Sequence, residues 1–283
     1  MNLIIIGASG YIGKRLLLTA SKLIPSSYGT SSTGKNGLTV FNLNSPLSFN
    51  YSSVNAGDVI FLTAAISAPD ACAHDFEHSW GFYVVGTSEF IDRITSRGAR
   101  VIFFSSDTVF GERCDSFDET MKNMPAGEYA EMKAEIESRF SKNHLFKAIR
   151  LSYVFSKDDK FTKYLIACAS QGMEAEIFDP FSRSIIYRDD VVDGALALAA
   201  SWDAFPQKLI NFGGPTVLSR LEYAECLRGE IVPNLQYKVT DPGEEFFKNR
   251  PRTIAMLSPI LPILLGRPAR TLAESARIEF GKI

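Results

Sequence analysis

Residues that ligate metals or form disulfides are scarce in this chain of 283 residues, which has three histidines (His74, His78, His144) and four cysteines (Cys72, Cys114, Cys168, Cys226). No two cysteines are spaced Cys-x-x-Cys, and no histidine–cysteine cluster has zinc-ligand spacing, so no structural metal is expected. Scattered cysteines of this kind read as reduced, structural thiols in a cytosolic protein. An excess of one charge is lacking as well. The 30 basic and 32 acidic residues leave a net charge of −2, which points to neither a nucleic-acid nor a polyanion partner. Long hydrophobic runs are also missing. The apolar start Met1–Ile6 is too short for a signal-peptide core and runs directly into glycine. Ile260–Leu265 is interrupted by Pro262 and ended by Gly266-Arg267, so it cannot span a bilayer. A cytoplasmic protein with no membrane segment is expected, long enough for one α/β domain with a smaller lobe.

The periodicity supports that class. Leu3–Ile6 is a continuous apolar run, as in a strand buried on both faces. Ile12, Leu16, Leu17, Ala20 and Leu23 have helical spacing over Tyr11–Ile24, and Pro25 ends that helix. Strands are expected near Tyr28–Thr30 and over Leu38–Leu43, Asp58–Leu62, Arg100–Phe104 and Leu145–Arg150. Helices are expected over His74–Arg97 and Tyr129–Phe140. This alternation predicts right-handed βαβ units and a doubly wound parallel sheet. After about residue 152 the pattern loosens. Phe161–Gln171, Asp189–Trp202, Leu218–Arg228 and Thr271–Phe280 read as helices, with Ser219 as an N-cap, and Lys208–Asn211 reads as a strand. Pro233–Arg252 mixes prolines, charges and aromatics, as in a small C-terminal lobe.

Two motifs carry the chemistry. Gly7-Ala-Ser-Gly-Tyr-Ile-Gly13 has the form G-x-x-G-x-x-G, between the first strand and the first helix. Gly7 allows the tight turn, Gly10 lets the backbone approach a pyrophosphate, and Gly13 permits close helix–strand packing. The phosphates would sit at the helix N-terminus, against Ser9, Tyr11 and Ile12. A site specific for NAD usually places an acid after the second strand. Here Thr30, Ser31, Ser32 and Lys35 stand there instead. No carboxylate repels a 2′-phosphate, while hydroxyls and an ammonium can bind one, so NADP(H) is favoured over NAD(H). Asn42 and Leu43 would lie against the adenine.

The second motif is Tyr129-Ala-Glu-Met-Lys133. A tyrosine with its ordinary pKa near 10 is a poor proton donor or acceptor at neutral pH. A lysine one helical turn on brings a cation near the phenol and favours the phenolate. A nearby hydroxyl would orient the substrate oxygen. Ser106, just past the strand Arg100–Phe104, is the natural donor, with Ser105 as the alternative. Arg183, Arg188 and Arg250 are candidates for a substrate diphosphate, because a guanidinium fork suits phosphate oxygens.

Together these residues resemble an extended short-chain dehydrogenase/reductase. The chain is most similar to the dTDP-4-dehydrorhamnose reductase group and its sugar-nucleotide epimerase and dehydratase relatives. Val59–Asp75 resembles the stretch whose two alanines, here Ala64 and Ala65, face the cofactor, with Ser67 toward the substrate. Ser105–Phe110 resembles the family's Ser-Thr-Asp-Tyr-Val-Phe, which puts the hydroxyl on Ser106 and Asp107 and Thr108 near the substrate. Arg150–Phe155 resembles Arg-Thr-Ser-Trp-Val-Tyr beneath the nicotinamide, which implicates Ser152 and Val154. Arg183–Asp190 resembles the segment before the family's Asp-Asp-Val helix, and Asn211–Pro215 and Arg250–Arg252 resemble the C-terminal substrate lobe. The resemblance implies a Rossmann-type nucleotide domain over residues 1–155. Residues 156–283 would complete the sheet and form a small α/β substrate lobe. Relatives are often dimers. Three positions depart from the family: Tyr83 where an asparagine is usual, Thr108 where tyrosine is common, and Tyr187-Arg188 in a tract that commonly holds a histidine.

The expected activity is an NADPH-dependent reductase of a nucleotide-linked 4-keto-6-deoxysugar, as in deoxysugar and polysaccharide biosynthesis, with Tyr129 as proton donor. A 4-epimerase is an alternative, although the missing acid after the second strand argues against its tight NAD site. Dehydratases carry Asp-Glu where this chain has Asp107-Thr108. A non-catalytic NADP-binding regulatory subunit is the third reading, opposed by the intact Ser106, Tyr129 and Lys133. Cys114 reads as structural.

Overall fold

The computed structural model describes residues 1–64, 76–112 and 115–281. Seven strands form the main sheet: β1 (Leu3–Ile6), β2 (Tyr28–Ser31), β3 (Thr39–Val40), β4 (Val59–Leu62), β5 (Arg100–Ser106), β6 (Phe146–Leu151) and β7 (Leu209–Phe212). Their order is β7-β6-β5-β4-β1-β2-β3, and every neighbouring pair is parallel. The order reverses between β1 and β4, so a crevice opens at the carboxyl ends of those two strands. This is a Rossmann-type doubly wound α/β fold.

The strands are apolar throughout because both faces of the sheet are covered. Alternate residues feed two cores. Ile5, Phe61, Ile102, Phe104 and Ile149 pack with Leu16 and Ala20 of α1 (Tyr11–Leu23) on one face. Ile4, Ile60, Val101, Phe103 and Ala148 pack on the other, with Phe90, Ile91 and Ile94 of α2 (Thr87–Thr95) and Ile136 of α3 (Glu128–Arg139). After β6 come α4 (Lys160–Gln171), α5 (Arg188–Ala200), α6 (Arg220–Glu230) and α7 (Leu272–Glu279). The expected cap is present: Ser219 Oγ accepts from Glu222 N, and Glu222 returns a bond to Ser219 N. Helix α5 returns to the α1 face of the sheet with Val191, Val192 and Ala195.

The C-terminal region holds a third core, built from Leu165, Ala169, Ile177, Tyr223, Leu227 and Ala276. Its strands are short and unmarked by periodicity. Glu174–Phe178 pairs in parallel with Gln236–Thr240, and Ser182–Ser184 lies between Val217–Ser219 and Thr253–Ile254. Asp190, fully buried, ties the C-terminal segment to α5 through Arg267 (2.6 Å), the Arg270 backbone N–H (2.7 Å) and the Arg270 guanidinium.

Two expected elements change. The strand expected over Leu38–Leu43 is only Thr39–Val40, because Phe41 and Leu43 turn inward to the core and a turn closes from Asn42 to Ser45. The helix expected over His74–Arg97 starts outside the described residues. Its described part is α-helical over Phe76–Trp80, π-helical over Gly81–Gly86, and α-helical again in α2. A Cβ at Gly86 would lie 2.0 Å from the Leu43 carbonyl oxygen, so only glycine fits that crossing. No helix of the described residues is long and apolar enough to cross a membrane.

Helix α3 is fixed to the sheet by a buried ion pair. Arg150 of β6 donates to Glu137 of α3, from Nη2 to Oε2 at 2.7 Å and from Nε to Oε1 at 3.1 Å. Ser105 of β5 donates to the same carboxylate at 2.6 Å, and Asn123 bridges both charges. The two charged side chains are 1% and 2% exposed. Removing one partner leaves a buried charge unpaired, which costs about 3–5 kcal/mol, whereas an apolar pair of similar volume can be neutral. Urea unfolding of Arg150→Met should therefore show a loss of that order. The double variant Arg150→Met/Glu137→Leu should recover most of it.

Candidate active site

The glycine motif forms the floor of the crevice. Gly7 leaves β1 with φ +89°, and a Cβ there would lie 2.6 Å from the backbone nitrogen of Ala64, just past β4. At Gly13 a Cβ would lie 2.3 Å from the Gly7 carbonyl oxygen, so α1 can approach the turn only as glycine. At Gly10 it would meet only that same oxygen, at 3.2 Å, and the side facing the crevice is open. Gly10 caps α1 without a side-chain bond, and no acid stands in the first turn. The first amides of α1 thus lack intrahelical acceptors in a positive end field, as a dinucleotide pyrophosphate requires. Ser9 and Gly10 are exposed there, with Tyr11 and Ile12 half-buried.

The turn after β2 divides its candidates. Thr30 is fully enclosed, and its hydroxyl has no partner; Ser31 accepts from Gly34 N at 3.0 Å and is buried. Both shape the turn. Ser32 and Lys35 are exposed and reach outward. Asn42 is exposed beside buried Leu43. Ala64 ends the described run after β4; Ala65 and Ser67 lie outside the described residues.

Tyr129, Lys133 and Glu137 fall on one face of α3, at i, i+4 and i+8. Lys133 is 1% exposed, and its Nζ donates to the Phe104 carbonyl oxygen at 2.8 Å. That atom lies two residues before Ser106, so the lysine is held at the carboxyl end of β5. Three rings surround the ammonium: Phe103 at 4.4 Å, Tyr83 at 5.5 Å and Tyr129 at 5.7 Å. Such faces stabilise a desolvated cation. Tyr83, from the π-helical turn, meets Tyr129 edge-on at 6.0 Å. An aromatic thus stands where the family resemblance implies an asparagine.

Ser105 and Ser106 point to different neighbours. Ser105 donates a hydrogen bond to Glu137 and belongs to the buried ion pair. Ser106 accepts from the Thr108 backbone N–H at 3.2 Å and from Thr108 Oγ1 at 3.0 Å. Asp107 is buried and receives Ser152 Oγ at 2.9 Å, with Arg183 Nε at 3.7 Å. Burial pushes its carboxyl above the usual range, against the opposing pull of Arg183 and the hydroxyls. Val154 offers its carbonyl to the Tyr11 hydroxyl at 3.3 Å.

The candidate arginines are largely committed to the protein. Arg183 donates to the carbonyls of Ser182, Pro251 and Arg252, and burial draws its guanidinium down to about 10, with Asp107 opposing. Arg188 pairs with Asp158 at 3.1 Å and Glu279 at 3.4 Å. Arg250 lies over the Phe246 ring at 4.8 Å and donates to its carbonyl. Glu137 and Arg220 were not among the expected site residues. Glu137 was detectable as the next position on the Tyr129–Lys133 face. Arg220 carries no such signal, since its surroundings come from three separate segments.

The model of the RmlD substrate binding domain family matches residues 1–242. The chain belongs to this family. Among solved structures, a dTDP-4-dehydrorhamnose reductase of Clostridium acetobutylicum superposes with TM-score 0.83 at 19% identity, covering 100% of this chain and 99% of that one. MoeE5 in complex with UDP-glucose and NAD gives 0.80 at 19%, with 99% and 98% covered. A variant of the UDP-glucuronic acid 4-epimerase of Bacillus cereus, in complex with UDP-4-deoxy-4-fluoro-glucuronic acid and NAD, gives 0.81 at 19%, again with 99% and 98% covered. No curated protein matches the chain. At these identities the superpositions carry the fold, and the RmlD-family match carries the kinship. Gly13→Ala should force the Gly7 carbonyl aside, costing roughly 1–3 kcal/mol of stability. In a fluorescence titration it should weaken dinucleotide affinity by at least about tenfold.

Proposed function

We propose that this chain is an NADPH-dependent reductase of a nucleotide-linked 4-keto-6-deoxysugar. The observation that carries the reading is Lys133. It is buried and tied to the end of β5 beside Ser106, with Tyr129 one turn away on the same helix face. In this reading Ser106 donates to the substrate carbonyl oxygen, and Tyr129 delivers a proton to that oxygen as negative charge develops there. The Lys133 ammonium offsets the charge left on the phenol. When bound, the reduced nicotinamide supplies the hydride to C4. Ser32 and Lys35 recognise the 2′-phosphate, with no carboxylate in the turn to oppose it.

A 4-epimerase that retains NAD is the second reading, favoured by the NAD and UDP-sugars held by MoeE5 and the Bacillus cereus epimerase. Titration with NADPH and NADH, followed by dTDP-4-keto-6-deoxyglucose, separates the two. The reductase consumes NADPH when the sugar is added. A cofactor that co-purifies and never turns over points to the epimerase. NADPH binding without oxidation across a panel of nucleotide 4-keto sugars points to a binding subunit. Tyr129→Phe should lower reductase turnover by about 10²–10⁴-fold while keeping NADPH affinity; unchanged turnover would remove Tyr129 from the chemistry. Lys35→Gln should weaken NADPH by roughly tenfold or more and leave NADH unchanged, and an equal effect on both would sink the 2′-phosphate assignment.

A further inference from the structure

A cavity of about 640 Å³ opens beside the start of α1, lined by Tyr11, Ile12, Tyr153, Phe161, Lys160 and Arg220 among others. Its size suits a ligand of nucleotide dimensions. Arg220, the first residue of α6, is half-buried in an aromatic box, with its guanidinium carbon 4.0 Å from the Phe161 ring, 4.8 Å from Tyr153 and 5.2 Å from Phe181. Stacking of this kind fixes the plane of a guanidinium and leaves its edge N–H groups to a ligand. No carboxylate pairs with Arg220 or Lys160 among the described residues.

The acids lining the same cavity are occupied elsewhere. Asp159 Oδ1 accepts from the Tyr153 hydroxyl and from the backbone N–H groups of Phe161 and Thr162. Its Oδ2 accepts from Ser156 N and the hydroxyls of Thr162 and Tyr223. Asp158 pairs with Arg188 and Lys163. The positive charge of Arg220 is also close enough to disfavour that of Arg183. Arg220 and Lys160 therefore face an aromatic-walled cavity whose two carboxylates are bonded to other groups, beside the turn that would hold the cofactor.

We propose that Arg220, with Lys160, holds the diphosphate of the nucleotide-linked substrate, a role closed to Arg183 and Arg188 because their guanidinium groups are committed to protein carbonyls and carboxylates. The assignment rests on the nucleotide-sugar reading of the active site but is tested without turnover. UDP, dTDP, inorganic pyrophosphate and uridine are titrated calorimetrically into the full chain, and NADPH is titrated in parallel.

For the unaltered chain, UDP or dTDP should bind, pyrophosphate should bind more weakly, and uridine should bind least. Arg220→Gln should weaken UDP, dTDP and pyrophosphate by at least about tenfold and leave NADPH affinity unchanged. The unchanged NADPH affinity also reports an intact fold. Lys160→Gln, at an exposed position outside the ion pairs of the described residues, should weaken the same three ligands by a few-fold. Affinities for UDP and dTDP that ignore both substitutions would overturn the proposal, as would the absence of any nucleotide binding. An Arg220→Gln effect confined to NADPH would overturn it too, by giving the cavity to the cofactor. Diphosphate binding that depends on Arg220, in a chain that never oxidises NADPH, would uphold this assignment while the reductase reading fails.

Discussion

The buried pairing of Arg150 with Glu137 is the constraint on which the site depends. A charge enclosed on all sides is tolerated only when it is matched in both distance and direction. The pair joins β6 to α3, and Ser105 brings β5 into the same bond set. Helix α3 therefore cannot slide or rotate on the sheet without exposing an unpaired charge to the core. Lys133 lies one turn before Glu137, and Tyr129 one turn before that. Fixing Glu137 thus fixes the height and facing of both, and the bond from Lys133 to the Phe104 carbonyl registers them against the end of β5.

The cofactor end of the crevice is set by close approach rather than by charge. Where the strand order reverses, the turn after β1 runs against the end of β4, with no room for a side chain at Gly7 or Gly13. The helix entering from that turn has no acid in its first turn and no side-chain cap. Its amides are left for a ligand. Steric economy and an uncapped helix end together shape that turn.

Around that frame, aromatic rings crowd two cations. Tyr83 brings an aromatic ring to the lysine where the family resemblance implies an asparagine, and Phe103 and Tyr129 complete the enclosure. In the lobe, Arg220 is likewise held by Phe161, Tyr153 and Phe181. At both places aromatic faces help to position a cation, at Lys133 beside its bond to the Phe104 carbonyl. A ring face constrains position without consuming the donors, so the cation keeps them for other bonds.

The sequence by itself determined the sheet, the glycine turn and the face of α3. Apolar runs, helical spacing and i, i+4 geometry are local properties that survive without knowledge of the fold, and Tyr129 and Lys133 were legible for that reason. The strands Ser182–Ser184 and Val217–Ser219 were not, because three residues are too few to show a period and their partners are distant in the chain. Only the tertiary structure decided which carboxylate each serine hydroxyl meets and which arginine is committed. Ser105 and Ser106 are adjacent and chemically alike, but the strand turns them to opposite sides, so Ser105 meets Glu137 and Ser106 meets Asp107. Arg183 and Arg220 are equally basic in sequence. One is enclosed by main-chain carbonyls and the other is left facing a cavity, because packing between distant segments sets the surroundings on which a charge acts.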